Sequence, residues 1–342
     1  MKPKVILFLC ASIYFSTTDT IFAQTVSVQM SLNKSSAKNP LVCPPQEGVC
    51  KTPGLNQPQT DSLAPTKNKP VLVHYFTDPI CSACWGIEPQ LRRLKLEYGD
   101  LLEIRYHMGG LLPSWTGFDS GGISKPSDVA THWDEVSAYY EMPMIGDVWL
   151  NDPLNSSFPP CVAFKAAQIQ SEYKAIAFMR RLREMVFLAA KNITKWEYLN
   201  TAAYEAGLDT VQFKADYLGR AHELFDEDLR ITRQMGVRGF PTLYFTDADQ
   251  NRAVINGVKP YQYFEQAIMR LLPTAVKKTI DASTPQKAFE LYPTLTAKEF
   301  AVLSNQSLAA ADASLNEYYN ARQCTRFVTR NGTLYQKLSA GK

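Results

Sequence analysis

The chain has 342 residues, 45% of them apolar, and a formal net charge of +3. That length exceeds one ordinary core and predicts one large domain with smaller pieces attached. The near-neutral charge argues against binding nucleic acid or a membrane surface with the protein as a whole.

Residues 1–23 read as a secretory signal. Lys2 and Lys4 form its basic start, Val5 to Phe15 its apolar core, and Phe22-Ala23 its cleavage site. The apolar run is shorter than the ~20 residues needed to span a bilayer, and no later segment is long and apolar enough. An exported protein, periplasmic in setting, is the expectation, in a compartment where disulfides persist.

Residues 24–69 are rich in Asn, Gln, Ser, Thr and Pro and read as a flexible linker. Cys43 and Cys50 lie inside it. A small structural disulfide is the first reading, a second redox pair is the alternative, and a metal clip lacks a nearby histidine.

Val71 to Thr77 reads as a buried strand, and a helix is predicted over 81–98. On that helix Cys84, Ile87, Leu91, Leu94 and Tyr98 share one face, while Glu88, Arg92, Lys95 and Glu97 lie off it. Pro89 is expected to kink it. Between strand and helix lies Cys81-Ser82-Ala83-Cys84. The first sulfur falls at a helix N-terminus, where unpaired N–H groups and the macrodipole favour the thiolate. The thiolate is the nucleophile of sulfur chemistry, and the second sulfur is one turn away. Cys81 is therefore the candidate nucleophile and Cys84 its resolving partner. A structural bridge or half a zinc site is the bland alternative.

Leu101 to Tyr106 is the next strand, ended by Gly109-Gly110. One helix is expected near 126–140, then a mainly helical block from about 161 to 235, with Thr194 and Asp209 as caps. Trp115, Trp133 and Trp149 either pack in the core or line an apolar face. Phe240-Pro241-Thr242 leads into a further strand, Arg252 to Asn256 pairs with it, and Pro260 opens a helix. Residues 274–342 form a separate piece: helices capped by Thr296 and Ser307, then a hairpin around Asn331-Gly332. Two helices and a hairpin suggest a winged-helix-like α+β module. Arg322, Arg326 and Arg330 make it locally basic, as a solvated or docking face. Cys161 and Cys324 read as small buried residues, with a bridge between them left open.

These features resemble the thioredoxin superfamily and, within it, the DsbA-like disulfide oxidoreductases. The resemblance rests on the C-x-x-C at a strand-to-helix junction, Pro89, the Phe240-Pro241-Thr242 motif and the helical insertion at about 111–235. It covers residues 70–273. It implies an α/β thioredoxin-like fold with a large helical insertion, followed by the C-terminal module. Thr77-Asp78-Pro79-Ile80-Cys81, Cys84-Trp85-Gly86-Ile87-Glu88-Pro89 and Ile231 to Val237 further resemble the FrnE and SpxH/YjbH branch. The implied activity is thiol–disulfide exchange on cysteines of protein substrates, with an unidentified electron-transfer partner. No metal and no bound cofactor beyond the Cys81–Cys84 redox pair is expected, and neither is a nucleic-acid partner or a membrane span in the mature chain. Pro241 as a cis-proline and the backbone of Phe240 are the implied substrate contacts; Trp85 is a further candidate for a substrate surface, with core packing as its equal alternative. SpxH-type members act as cytosolic adaptors for proteolysis, which makes a non-catalytic adaptor the alternative; a leader peptide departs from that setting. The acid that many relatives bury six residues before the first cysteine is here Tyr75, a poor proton acceptor. His74 beside it should face the other side of the strand.

Overall fold

The computed structural model describes residues 69–338. The leader, almost all of the linker, and the Cys43–Cys50 bridge fall outside the described residues.

β1 (Val71–Thr77) is buried along its whole length because it is an inner strand. Covered on both faces, such a strand needs a near-continuous apolar run, as Val-Leu-Val-His-Tyr-Phe-Thr supplies. β2 (Leu102–Met108) pairs with it in parallel, β3 (Thr242–Thr246) antiparallel, and β4 (Arg252–Asn256) closes the order β2-β1-β3-β4. Side chains alternate across β1 as predicted. On the face away from Tyr75, His74 Nδ1 meets His107 Nε2 at 2.8 Å, and His107 Nδ1 meets Asp228 Oδ1 at 2.9 Å. Lys165 pairs with the same carboxylate at 2.9 Å.

The helix expected over 81–98 is two helices, α1 (Ser82–Gly86) and α2 (Glu88–Tyr98). The break falls at Ile87, two residues before Pro89, because proline has no N–H for the preceding turn and sits comfortably in the first turn of a new helix. Between β2 and β3 come α3 (Pro126–Tyr140), α4 (Asp147–Asn151), α5 (Phe158–Gln170), α6 (Glu172–Phe187), α7 (Trp196–Glu205), α8 (Thr210–Leu218) and α9 (Ala221–Gln234). Asp209 caps α8 as expected, accepting from the Val211 and Gln212 amides. Thr194 does not cap α7: its hydroxyl donates to Asn192 Oδ1 at 2.6 Å, and Lys195 holds the cap position. Trp133 and Trp149 are core residues, packed edge to face with each other, and the Trp133 ring lies tilted against Phe187. α10 (Tyr261–Leu271) follows β4.

The C-terminal module holds more than two helices and a hairpin. It runs α11 (Pro285–Leu291), β5 (Thr294–Thr296), α12 (Ala297–Ser304), α13 (Leu308–Asn320), β6 (Cys324–Thr329) and β7 (Gly332–Lys337). β5 completes the order β5-β7-β6. A seven-residue helix and a three-residue strand are too short to leave a periodic signal. The module has its own core around Phe289, Leu295, Phe300, Leu315 and Tyr335. Cys324 belongs to that core and Cys161 to the other, and both are thiols, so no bridge joins them.

The module sits on the polar side of α2. Glu299, fully buried, receives Arg92 at 3.2 Å and Arg180 of α6 at 2.6 Å. The Thr294 hydroxyl donates to Glu184 at 2.6 Å. At the hairpin tip, Arg330 pairs with Asp134 at 2.7 Å and Asp147 at 2.6 Å, so the expected basic face is partly spent on α3 and α4. Removing one partner from a buried ion pair leaves the others uncompensated. Glu299→Gln should therefore lower unfolding free energy in urea by about 3–5 kcal/mol. A loss under about 1 kcal/mol, the range of an exposed pair, would contradict this account of the seam.

Candidate active site

The site forms where β1 ends. Asp78, in the turn that follows, ties three segments together. Its Oδ1 accepts from the Ile80 amide at 3.0 Å. Its Oδ2 accepts from the Leu111 amide at 2.7 Å, the Ser157 hydroxyl at 2.8 Å and the Cys161 thiol at 3.4 Å. Burial pushes its carboxyl above the ordinary range, and those donors only partly offset the effect. Burial, then the Asp78 charge, pushes the Cys161 thiol up strongly, so Cys161 is no nucleophile.

Cys81 caps α1 with an extended backbone, and its sulfur accepts the Cys84 amide at 3.1 Å. Cys81 is only 2% exposed and Cys84 is fully buried. Behind them, on the Tyr75 side of β1, lies Arg183 of α6. Its Nη1 donates to Glu88 at 3.0 Å and its Nη2 to the Thr77 hydroxyl at 2.7 Å. Thr77 in turn donates to the Tyr75 hydroxyl at 3.0 Å. Burial pushes the Cys84 thiol up, but the hydrogen bond with Cys81 and then the Arg183 charge overcome it and hold it below the ordinary value. Burial, and next the nearness of Cys84, drives Tyr75 well above a normal phenol, so it remains protonated.

Phe240-Pro241 is cis and lies at the same end of the sheet. The register pairs Phe76 with Thr242, so this dipeptide stands across from the turn that carries the cysteines. The Phe240 ring is turned inward onto Gly109. A Cβ there would fall 1.9 Å from the ring, so only glycine fits. Phe240 is thus 6% exposed: its ring packs inward, and the contact with substrate expected of it is through its backbone.

Trp85 was open to two readings, substrate contact or core; it is fully buried, so the substrate contact is corrected and the core reading stands. Its indole N–H donates to the Pro143 carbonyl at 2.9 Å, its ring stacks on Phe187 at 5.6 Å, and the Arg180 guanidinium lies 4.5 Å above it. Sequence reasoning missed Arg183, Thr77 and Asp78. Asp78 was visible in the run before Cys81, but Arg183 sits among Arg180 and Arg181 and reads as a solvated charge run. Among the described residues no His, Cys, Asp and Glu cluster is arranged to hold a metal. Trp85→Phe should cost about 1–3 kcal/mol, because Pro143 O loses its donor inside the core. Urea unfolding measures it; unchanged stability with weakened substrate binding would restore the surface role.

The family model described as Thioredoxin matches residues 74–266. A ClpXP adapter protein SpxH of Halalkalibacterium halodurans is 34% identical over 241 residues, covering 69% of this chain and 77% of that protein. The protein of the same description in Shouchella clausii is 31% identical over 279 residues, covering 80% and 89%. A solved structure from Nitrosomonas europaea, provisionally described as a protein disulfide isomerase, superposes with a TM-score of 0.53. It is 20% identical and covers 60% of this chain and 98% of its own. A sheet that delivers C-x-x-C to a helix start, a helical insertion and these likenesses place the chain in the thioredoxin superfamily, among the DsbA-like proteins of the SpxH branch.

Proposed function

We propose that the protein carries out thiol–disulfide exchange on cysteines of protein substrates through Cys81 and Cys84. One observation carries this reading: Cys81 sits at the cap of α1 within 3.1 Å of the Cys84 amide, and the buried Cys84 thiol is held below its ordinary pKa. In reduction, the Cys81 thiolate attacks a substrate disulfide and expels one substrate thiolate. Cys84 then attacks the Cys81 sulfur, forming the internal disulfide and releasing the second substrate thiol. The same steps reversed oxidise a substrate dithiol, and an external redox partner resets the pair. The backbone beside Pro241 is the surface offered to an extended substrate strand. Export through residues 1–23 is part of this proposal.

A second reading is favoured by a specific observation. Cys81 is 2% exposed, so exchange with a protein disulfide requires its surroundings to open. The SpxH relatives are described as ClpXP adapters, which supports a binding role in which the thioredoxin-like body and docked module engage a protein partner. Turnover of a protein disulfide, with glutathione as electron source, separates the two. Cys81→Ser should fall to the uncatalysed rate, and Cys84→Ser should accumulate a mixed disulfide seen on a non-reducing gel. Equal rates for wild type and Cys81→Ser would end the exchange reading and leave the adaptor.

A further inference from the structure

We propose that Arg183 is the positioning residue of the second exchange step, a buried cation that keeps Cys84 as the thiolate that attacks Cys81. The assignment rests on the exchange reading for its use in the cell, while its physical content belongs to the cysteine pair alone.

The second step needs an ionised Cys84 inside a dry core, where a thiol resists ionising. A buried carboxylate beneath the pair would accept the proton, but that position is Tyr75. Asp78 is the neighbouring carboxyl, and its oxygens already receive four donors. The alternative to a proton acceptor is a fixed positive charge, and Arg183 supplies one at 1% exposure. Its contacts place it at the end of β1: Thr77 Oγ1 at 2.7 Å and the Asp78 carbonyl at 3.4 Å. Its Nε finds no acceptor among the described residues. A guanidinium with a donor unspent in a core favours an anion beside it.

The groups facing Cys84 are Tyr75 and Thr77 of β1, the Asp78 backbone, Cys81 and Arg183 of α6, while Glu88 of α2 acts on Tyr75 and Arg183. Glu88 does not cancel Arg183, because Lys95, Arg92 and Arg180 also act on that carboxylate. The Thr77 hydroxyl is oriented by accepting from Arg183 while donating to Tyr75. In the step itself, the bond between Cys81 and the substrate sulfur breaks as the Cys84–Cys81 bond forms. The two cysteines are oxidised by two electrons, the substrate sulfur leaves reduced as a thiolate, and solvent protonates it. Cys84 enters without a proton, so no base is required.

The test uses the intact reduced protein and a chromogenic aryl disulfide, at concentrations that saturate attack by Cys81. Release of the second aryl thiolate then reports Cys84 directly. In wild type this first-order phase should stay nearly flat as pH falls from about 8.5, an ordinary thiol value, towards neutrality. In Arg183→Met it should be at least about tenfold slower at neutral pH, one pKa unit or more, and recover as pH rises. Arg183→Lys, which keeps the charge, should restore much of the wild-type profile. Superimposable profiles for wild type and Arg183→Met would overturn the proposal. If Arg183→Met does not fold, the thiolate absorbance of Cys81→Ser, less that of the double Cys81→Ser/Cys84→Ser variant, decides. A midpoint well below about 8.5 supports the assignment, and one at or above it overturns it. Failure of wild type to turn over protein disulfides, with the flat second phase intact, would sink the exchange reading and leave Arg183 in its place.

Discussion

The structure depends on a chain of alternating buried charges. It starts beneath the cysteines with Arg183 and Glu88, 3.0 Å apart, and passes to Arg92 at 3.9 Å. From Arg92 it crosses to Glu299 of the module at 3.2 Å, then to Arg180 at 2.6 Å and Glu184 at 2.7 Å. Three cations and three carboxylates thus compensate one another across α2, α6 and α12. Desolvating each ion is costly, and the chain is tolerable only because neighbours and hydrogen bonds satisfy them together. Burial pushes Glu88 up, yet Arg183, then Lys95, Arg92 and Arg180, hold its carboxyl below the ordinary range. It stays charged wherever the protein is folded near neutral pH.

β1 divides the chemistry of the interior. One face looks toward the sulfurs, with Tyr75 and Thr77 beneath Cys84. The other carries the His74–His107–Asp228 relay, closed by Lys165. Burial pushes Asp228 up, but His107 and Lys165 overcome it and keep it ionised. Both faces therefore bury charge, and both satisfy it from the helical insertion: Arg183 from α6, Lys165 from α5 and Asp228 from α9. The insertion supplies the electrostatics of the sheet it interrupts, which a bare four-stranded sheet could not.

Much of this was legible in the chain. The near-continuous apolar run of β1, the C-x-x-C after it, the β4 strand and the Asn331-Gly332 hairpin each carry a local signal strong enough to stand alone. What escaped was set by contacts distant in sequence. Glu88, Arg92 and Glu97 lie off the apolar face of α2 and read as solvated, yet all are buried: Glu88 meets Arg183 of the insertion, Arg92 meets Glu299 of the module, and Glu97 meets Arg93 and Tyr261 of α10. Periodicity reports which face is apolar; it is blind to a polar residue such as Arg92 that finds its counter-charge as far along the chain as Glu299. The choice between core and surface stayed open at Trp85 for the same reason. Its partners Pro143, Arg180 and Phe187 all come from the insertion, and nothing adjacent in sequence announces them.

The seam also limits how the C-terminal module can be interrogated. Cutting the chain after α10 would leave Arg92 and Arg180 without Glu299, and the guanidinium over the indole next to Cys84 with Glu184 alone of its two carboxylate partners. A shortened protein that lost its redox chemistry would then report a wounded scaffold, and the duty of the missing piece would stay hidden behind that injury.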